Sequence, residues 1–331
     1  MLTVLETLPV GLLDAGPRHL HGMLPGPTLI HIPGRREPPL FVSVLLHGNE
    51  ISGLHAVQRV LARYRDRELP RALSLLIGNV EAARAGVRRL DHQADFNRVW
   101  PGAEDSGRAE HLFAAEVLEV MREKGAFASI DIHNNTGTNP HYACIRRLEP
   151  PFLHLATLFS RTVVYFARPR GTQTGTFSAL CPSVAVECGK SGEESGIAHA
   201  AQYVEACLNL SGFPEHPVAR HDLDLFHTVA VVKVPEDIEF SFGTARVPLA
   251  FPADIDRMNF RELEEGTLFA RIAEPRRYLD VCDEAGSDVF ERYFEMRSDR
   301  ILTRRPVMPS MLTLDPRAIR QDCLCYLMER M

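Results

Sequence analysis

Two short stretches hold most of the chemistry in this chain. His47-Gly48-Asn49-Glu50 follows directly on the apolar run Phe41-Val42-Ser43-Val44-Leu45-Leu46, and His133 follows on the run Ala128-Ser129-Ile130-Asp131-Ile132. A buried strand that ends on His47 and turns into a helix with Glu50 in its first turn brings two metal-ligating side chains together, with Gly48 permitting the bend. His133 would end a neighbouring strand and complete the set at the carboxyl edge of a sheet, where open α/β folds bind their ligands. Two imidazoles and one carboxylate around an open fourth position are the ligand set of a catalytic zinc ion. Asp131 shares a strand face with His133 and is placed to orient it from behind. A lone H-x-x-E pair arises by chance in many helices. Its position after a buried strand, matched by a second strand ending on histidine, is what points to a metal.

Metal-assisted hydrolysis also needs a group that takes a proton from water and returns it to the leaving group. Glu187, in Ser183-Val184-Ala185-Val186-Glu187-Cys188-Gly189-Lys190, is the best candidate. A carboxylate closing an apolar run is desolvated, which raises its pKa toward neutrality; the plain alternative is a strand-end pair with Lys190. In Asp95-Phe96-Asn97-Arg98, the amide of Asn97 and the fork of Arg98 suit capture of a substrate carboxylate. Upstream, Arg88 or Arg89 would set a guanidinium over the scissile carbonyl. Taken singly, each arginine reads as surface charge.

The elements that must position these groups alternate. Strand-like runs fall at 29–32, 41–46, 73–77, 128–132, 162–166 and 184–187, with helical periodicity over 51–65, from about 108 to 125 and over 194–210. The order predicts a mixed, mostly parallel sheet flanked by helices. Residues 211–217, with a glycine and two prolines, read as a linker. The expectation is therefore a catalytic domain over 1–215 and a smaller β-rich C-terminal domain over 221–331, with strands at 227–234, 238–242, 266–272 and 300–303.

Composition narrows the function classes. The 331 residues are 45% hydrophobic and 24% charged, with a net charge of −6. An acidic chain argues against a nucleic-acid or anionic-membrane surface. No apolar stretch is long enough to span a bilayer, and the first seventeen residues lack the basic start of a signal peptide. Seven scattered cysteines without zinc-finger pairing fit reduced thiols in the cytoplasm. Cys144 and Cys188 read as buried thiols rather than nucleophiles. Gly189-Lys190-Ser191 fails as a phosphate loop, because position 184 is Val where that motif needs Gly.

In this order and strand context, the motifs resemble the succinylglutamate desuccinylase/aspartoacylase family, a branch of the zinc carboxypeptidase superfamily. The matching pieces are His47–Glu50, Gly78-Asn79 through Arg88 to Asp95–Arg98, Asp131–Asn134, and Val186–Lys190, with fainter matches at Asn259-Phe260 and Glu265–Leu268. The resemblance implies a zinc carboxypeptidase-like fold, zinc on His47, Glu50 and His133, and Glu187 as general base and acid. It also implies Asn97 and Arg98 on the substrate carboxylate, and an arginine near 88 on the carbonyl. The implied reaction is hydrolysis of a small N-acyl amino acid to an acid and an amine. Residues 172–180 contain no arginine where aspartoacylases place one before the catalytic glutamate, so the acyl group stays open. Two rival readings remain: a metallocarboxypeptidase acting on a small peptide, and a non-catalytic zinc or ligand-binding protein. Assembly as a homo-oligomer is left open.

Overall fold

The computed structural model describes residues 2–104, 107–243 and 247–331. The chain divides into two compact units: Met1–Asn134, His141–Tyr165 and Pro169–Asp224 form the first, and Asn135–Pro140, Phe166–Arg168 and Leu225–Met331 form the second. The first unit contains β1 (Thr3–Leu5), β2 (Thr28–Ile32), β3 (Leu40–Val44), β4 (Leu73–Ile77), β5 (Ala128–Asn135), β6 (Tyr142–Ile145), β7 (Thr162–Tyr165) and β8 (Ser183–Lys190). They lie side by side in the order β1-β2-β4-β3-β5-β8-β6-β7. Strand β3 runs parallel to both β4 and β5, and the β1/β2 and β6/β7 pairs are parallel, whereas β2/β4 and β6/β8 are antiparallel.

Every residue of β3, β4 and β5 is buried. Such strands need helices on both faces, which explains their nearly unbroken apolar runs. The helices are α1 (Ser52–Arg63), α2 (Val80–Ala85), α3 (Ala109–Lys124), α4 (Pro150–Thr157), α5 (Gln173–Phe177) and α6 (Glu194–Asn209). Helix α1 buries Leu54, Val57, Val60 and Leu61 on one face, as its periodicity predicts. Under the sheet, Phe41 stacks on Phe177 at 4.3 Å, beside a fully buried Trp100 whose indole N–H donates to the Phe96 carbonyl.

The second unit is β-rich, as expected. Its strands are β9 (Asp224–Lys233), β10 (Phe240–Phe242), β11 (Leu249–Phe251), β12 (Leu268–Ile272), β13 (Asp280–Cys282), β14 (Phe294–Arg297), β15 (Arg300–Thr303), β16 (Met308–Ser310) and β17 (Cys325–Arg330). A five-stranded sheet runs β10-β11-β12-β15-β14, while β17 pairs antiparallel with both β9 and β16. Phe251, Phe269, Phe290 and Phe294 pack in its core.

Three local expectations are corrected. Strand β3 stops at Val44, because Leu45 turns the chain into the left-handed region (φ 56°). His47 and Glu50 therefore lie in the connection after the strand, and Glu50 precedes α1 rather than sitting in its first turn. Strand β5 runs on to Asn135 instead of ending on His133. Residues 211–217 do not separate the units: Phe213 stacks on Phe127 at 4.9 Å, and Arg36 and Arg71 bind the adjoining Leu210 carbonyl. The division falls after Asp224.

Candidate active site

The connection from β3 to α1 is held by its neighbours. The Gly48 N–H donates to the Arg88 carbonyl (3.0 Å), and the Glu50 N–H donates to the His47 carbonyl (3.1 Å). A Cβ at Gly48 would lie 2.2 Å from backbone atoms of Ala82 and Ala83. The glycine is thus needed for close approach to α2, not for the bend, because Leu45 makes the bend. Helix α2 is capped by Asn79, whose Oδ1 accepts from the Ala82 N–H. Beyond it the loop 86–100 folds around buried Gln93, which accepts from Asn79 Nδ2 and the Leu90 N–H and donates to Glu81. That loop delivers Arg88, Asp95, Asn97 and Arg98.

The structure brings His47, Glu50 and His133 together, with one ligand atom from each lying within 4.8 Å of the others. Glu50 Oε1 is 2.7 Å from His47 Nδ1, and Oε2 is 2.7 Å from His133 Nδ1. Each imidazole is backed on its far nitrogen: His47 Nε2 lies 3.0 Å from Asp95, and His133 Nε2 lies 2.6 Å from Asp131. A carboxylate on Nε2 holds the proton there and leaves the Nδ1 lone pair for a metal. The donor set, its convergence and its backing carboxylates fit a divalent ion such as zinc.

Asp131 is fully buried and also accepts from Ser43 Oγ (2.6 Å) and Asn97 Nδ2 (3.3 Å). Asp95, expected within the substrate-carboxylate cluster, lies instead against His47 of the candidate metal site. It accepts from both Nε and an Nη of Arg88, and from the Asn97 N–H (2.8 Å). Nothing local marks that role, since its partner His47 is distant in sequence.

Charge follows geometry. Burial is the largest influence on both histidines and lowers their pKa. For His133 the surrounding Asp131 and Glu50 outweigh it and hold the ring well above the usual range, and His47 is raised by Glu50 and Asp95. Glu50 goes the other way: burial raises it, yet the two imidazoles hold it below the ordinary carboxylate range. Asp95, against Arg88 and His47, is likewise held well below.

Glu187 behaves differently. It sits in β8 with 9% of its surface exposed, and burial pushes its carboxyl up to about 7 despite the nearby His133, His47 and Arg88 charges. That is the range in which a carboxylate exchanges protons at neutral pH. Tyr142 lies opposite it in the antiparallel β6/β8 register. The adjoining Cys188 thiol is buried and pushed far up, as an inert thiol should be.

The remaining predicted residues divide. Arg88 lies at the cluster, with an Nη 3.6 Å from Glu50 Oε1. Arg89 points elsewhere and donates to the Gln93 carbonyl (3.0 Å). Asn97 turns inward: its Oδ1 accepts from the Gln173 N–H (2.9 Å) while its nitrogen faces Asp131 and His133. Arg98 is half-buried beside it and donates to the Asn97 carbonyl.

A family model described as "Succinylglutamate desuccinylase/Aspartoacylase catalytic domain" matches residues 37–210, more than half of the chain. The chain is 31% identical over 115 residues to a succinylglutamate desuccinylase of Pseudomonas paraeruginosa (strain DSM 24068 / PA7), an alignment spanning 34% of each protein. Among solved structures it is similar to the succinylglutamate desuccinylase of Chromobacterium violaceum, with 17% identity and a TM-score of 0.59 over 90% of this chain and 86% of that one. It is also similar to murine aminoacylase 3, with 16% identity and a TM-score of 0.55 over 89% and 97%. At these identities the structural likeness shows a shared fold.

Proposed function

The chain belongs to the succinylglutamate desuccinylase/aspartoacylase family, and we propose that it is a zinc-dependent hydrolase cleaving the amide bond of an N-acyl amino acid. The observation that carries this reading is the meeting of His47, Glu50 and His133 beside a buried glutamate whose pKa is raised to about 7. The names of the similar proteins, a succinylglutamate desuccinylase and an aminoacylase, support acylated amino acids as the substrate class.

His47, Glu50 and His133 would hold the ion, with Asp95 and Asp131 fixing the two rings. When bound there, zinc supplies Lewis acidity that polarises a carbonyl and acidifies water. Glu187 accepts a proton from the attacking water and passes it to the departing amine nitrogen, a task suited to a carboxyl that titrates near neutrality. Arg88, braced by Asp95, stabilises charge on the carbonyl oxygen. It takes this part rather than Arg89, which is turned to a backbone carbonyl. Arg98 holds the substrate carboxylate, and Asn97 shapes that subsite while supporting His133.

The test is a panel of acetyl, succinyl and formyl amino acids alongside dipeptides, assayed with zinc-loaded protein and with Glu187→Gln. The expected outcome is hydrolysis of one acyl amino acid, with kcat lowered about 10²–10⁴-fold in Glu187→Gln at unchanged zinc content. Cleavage of dipeptides alone would move the assignment to a carboxypeptidase, and full activity in the variant would remove Glu187 from the mechanism.

A further inference from the structure

We propose that Asn134 is a positioning residue that locks the metal-binding turn to the strand carrying Glu187; the proposal rests on the reading of Glu187 as the proton-transfer group. Helix α1 begins without a cap of its own. Its N-cap residue is Ile51, whose side chain accepts no hydrogen bond. A helix start leaves backbone N–H groups without partners, and something else must satisfy them. Asn134 does so from β5: its Oδ1 accepts from the Ser52 N–H (3.2 Å). The other end of the same amide donates to the Gly189 carbonyl (3.1 Å), two residues beyond Glu187 on β8. Its backbone N–H donates to Glu50 Oε2 (3.2 Å). One residue, 5% exposed, thus bonds to a metal ligand, to the helix start behind that ligand and to the strand of the general base.

Asparagine suits this position because its planar amide carries an acceptor and a donor in fixed opposition. Asp keeps the acceptor and loses the donor, and Ala loses both. Ser191 makes a second, more exposed tie between the same segments. Its hydroxyl donates to the Asn49 carbonyl (2.6 Å) and accepts from the Ile51 N–H (3.1 Å), while the Gly192 N–H donates to Ser52 Oγ (3.1 Å). The turn 49–52 and the β8 exit 189–192 are therefore joined three times, through Asn134, through Ser191 and by the direct Gly192–Ser52 bond, with Asn134 as the buried tie.

The two halves of the amide separate in an experiment. Asn134→Asp keeps the acceptor toward the Ser52 N–H, which suits a helix start, and replaces the bond to β8 with an oxygen facing the Gly189 carbonyl, so the tie to β8 becomes a repulsion. It should hold zinc with an affinity within about threefold of wild type, yet lose kcat at least about tenfold at little-changed KM. Asn134→Ala should lose about 10–100-fold in zinc affinity, read by chelator competition, as well as kcat. Ser191→Ala should lower kcat about two- to fivefold and combine non-additively with Asn134→Asp. A residue that merely stabilised the fold would lower Tm in all three variants without separating kcat from metal affinity.

The proposal falls if Asn134→Asp retains wild-type kcat, or if Asn134→Ala binds zinc as tightly as wild type. Should Asn134→Ala fail to fold, the Asn134→Asp and Ser191→Ala pair decides. If the wild-type chain hydrolyses no acyl amino acid yet Asn134→Ala still loses zinc affinity, the hydrolase reading fails, and with it the link to Glu187. The anchoring of the metal turn would survive.

Discussion

The surroundings of the two histidines and the interior of the second unit are both buried, but they are built on opposite principles. Around His47 and His133, burial encloses Glu50, Asp95, Asp131, Asn97 and Asn134, and each charged or amide group is matched by a partner at hydrogen-bond distance. In the second unit, Phe251, Phe269, Phe290 and Phe294 fill the space between strands, with Phe269 and Phe294 only 4.8 Å apart. Apolar packing stabilises and asks for little direction, whereas a buried polar network is costly unless every member is satisfied. The first region therefore stores chemical specificity and the second stores stability, so substitutions in them should fail differently.

The largest expected effect belongs to the packed core. Phe269→Ala removes a fully buried ring and should cost about 3–5 kcal/mol in denaturant unfolding. Well below the new transition, its zinc affinity should stay at the wild-type value, because all three ligands and their partners lie in the first unit. A change in zinc affinity there would break the contrast. Asp131→Asn should act in reverse, as it keeps the volume and one acceptor oxygen but removes the charge behind His133. A loss of about 10–100-fold in zinc affinity, with a smaller change in Tm, is expected from isothermal titration.

A third, smaller effect is a pH limb. In the proposed mechanism Glu187 must be ionised to accept a proton, and burial raises its pKa to about 7. A bound cation lowers that value, so at saturating zinc the rate should fall as pH drops below neutrality. The midpoint should lie between the ordinary carboxylate value and about 7. A profile flat down to pH 4 would mean that another group moves the proton.

Much of this site is legible in the residue order, for a physical reason. Strands buried on both faces write themselves as unbroken apolar runs, and a polar residue just beyond such a run stands at the sheet edge. That logic reaches His47, Glu50, His133 and Glu187 directly. It overshoots by a few residues at β3, where a leucine adopts a backbone conformation that leucine rarely takes. It does not reach Asp95 as the partner of His47, nor Asn134 as the cap of α1, because each acts across a distance set only by the folded chain. The second unit was less visible. Strands such as β11, β13 and β16 have three residues each, too few to show a period. The segments 135–140 and 166–168 join that unit from within the first unit's stretch of sequence.

The proposed chemistry requires two imidazoles and one carboxylate to share a single cation. Metal analysis of the purified chain, beside the His47→Ala and His133→Ala variants, measures this directly. About one zinc per wild-type chain is predicted, falling to near zero in both variants while each keeps its folded circular-dichroism spectrum. Wild-type protein that takes up no zinc, or variants that retain it in full, would contradict the assignment.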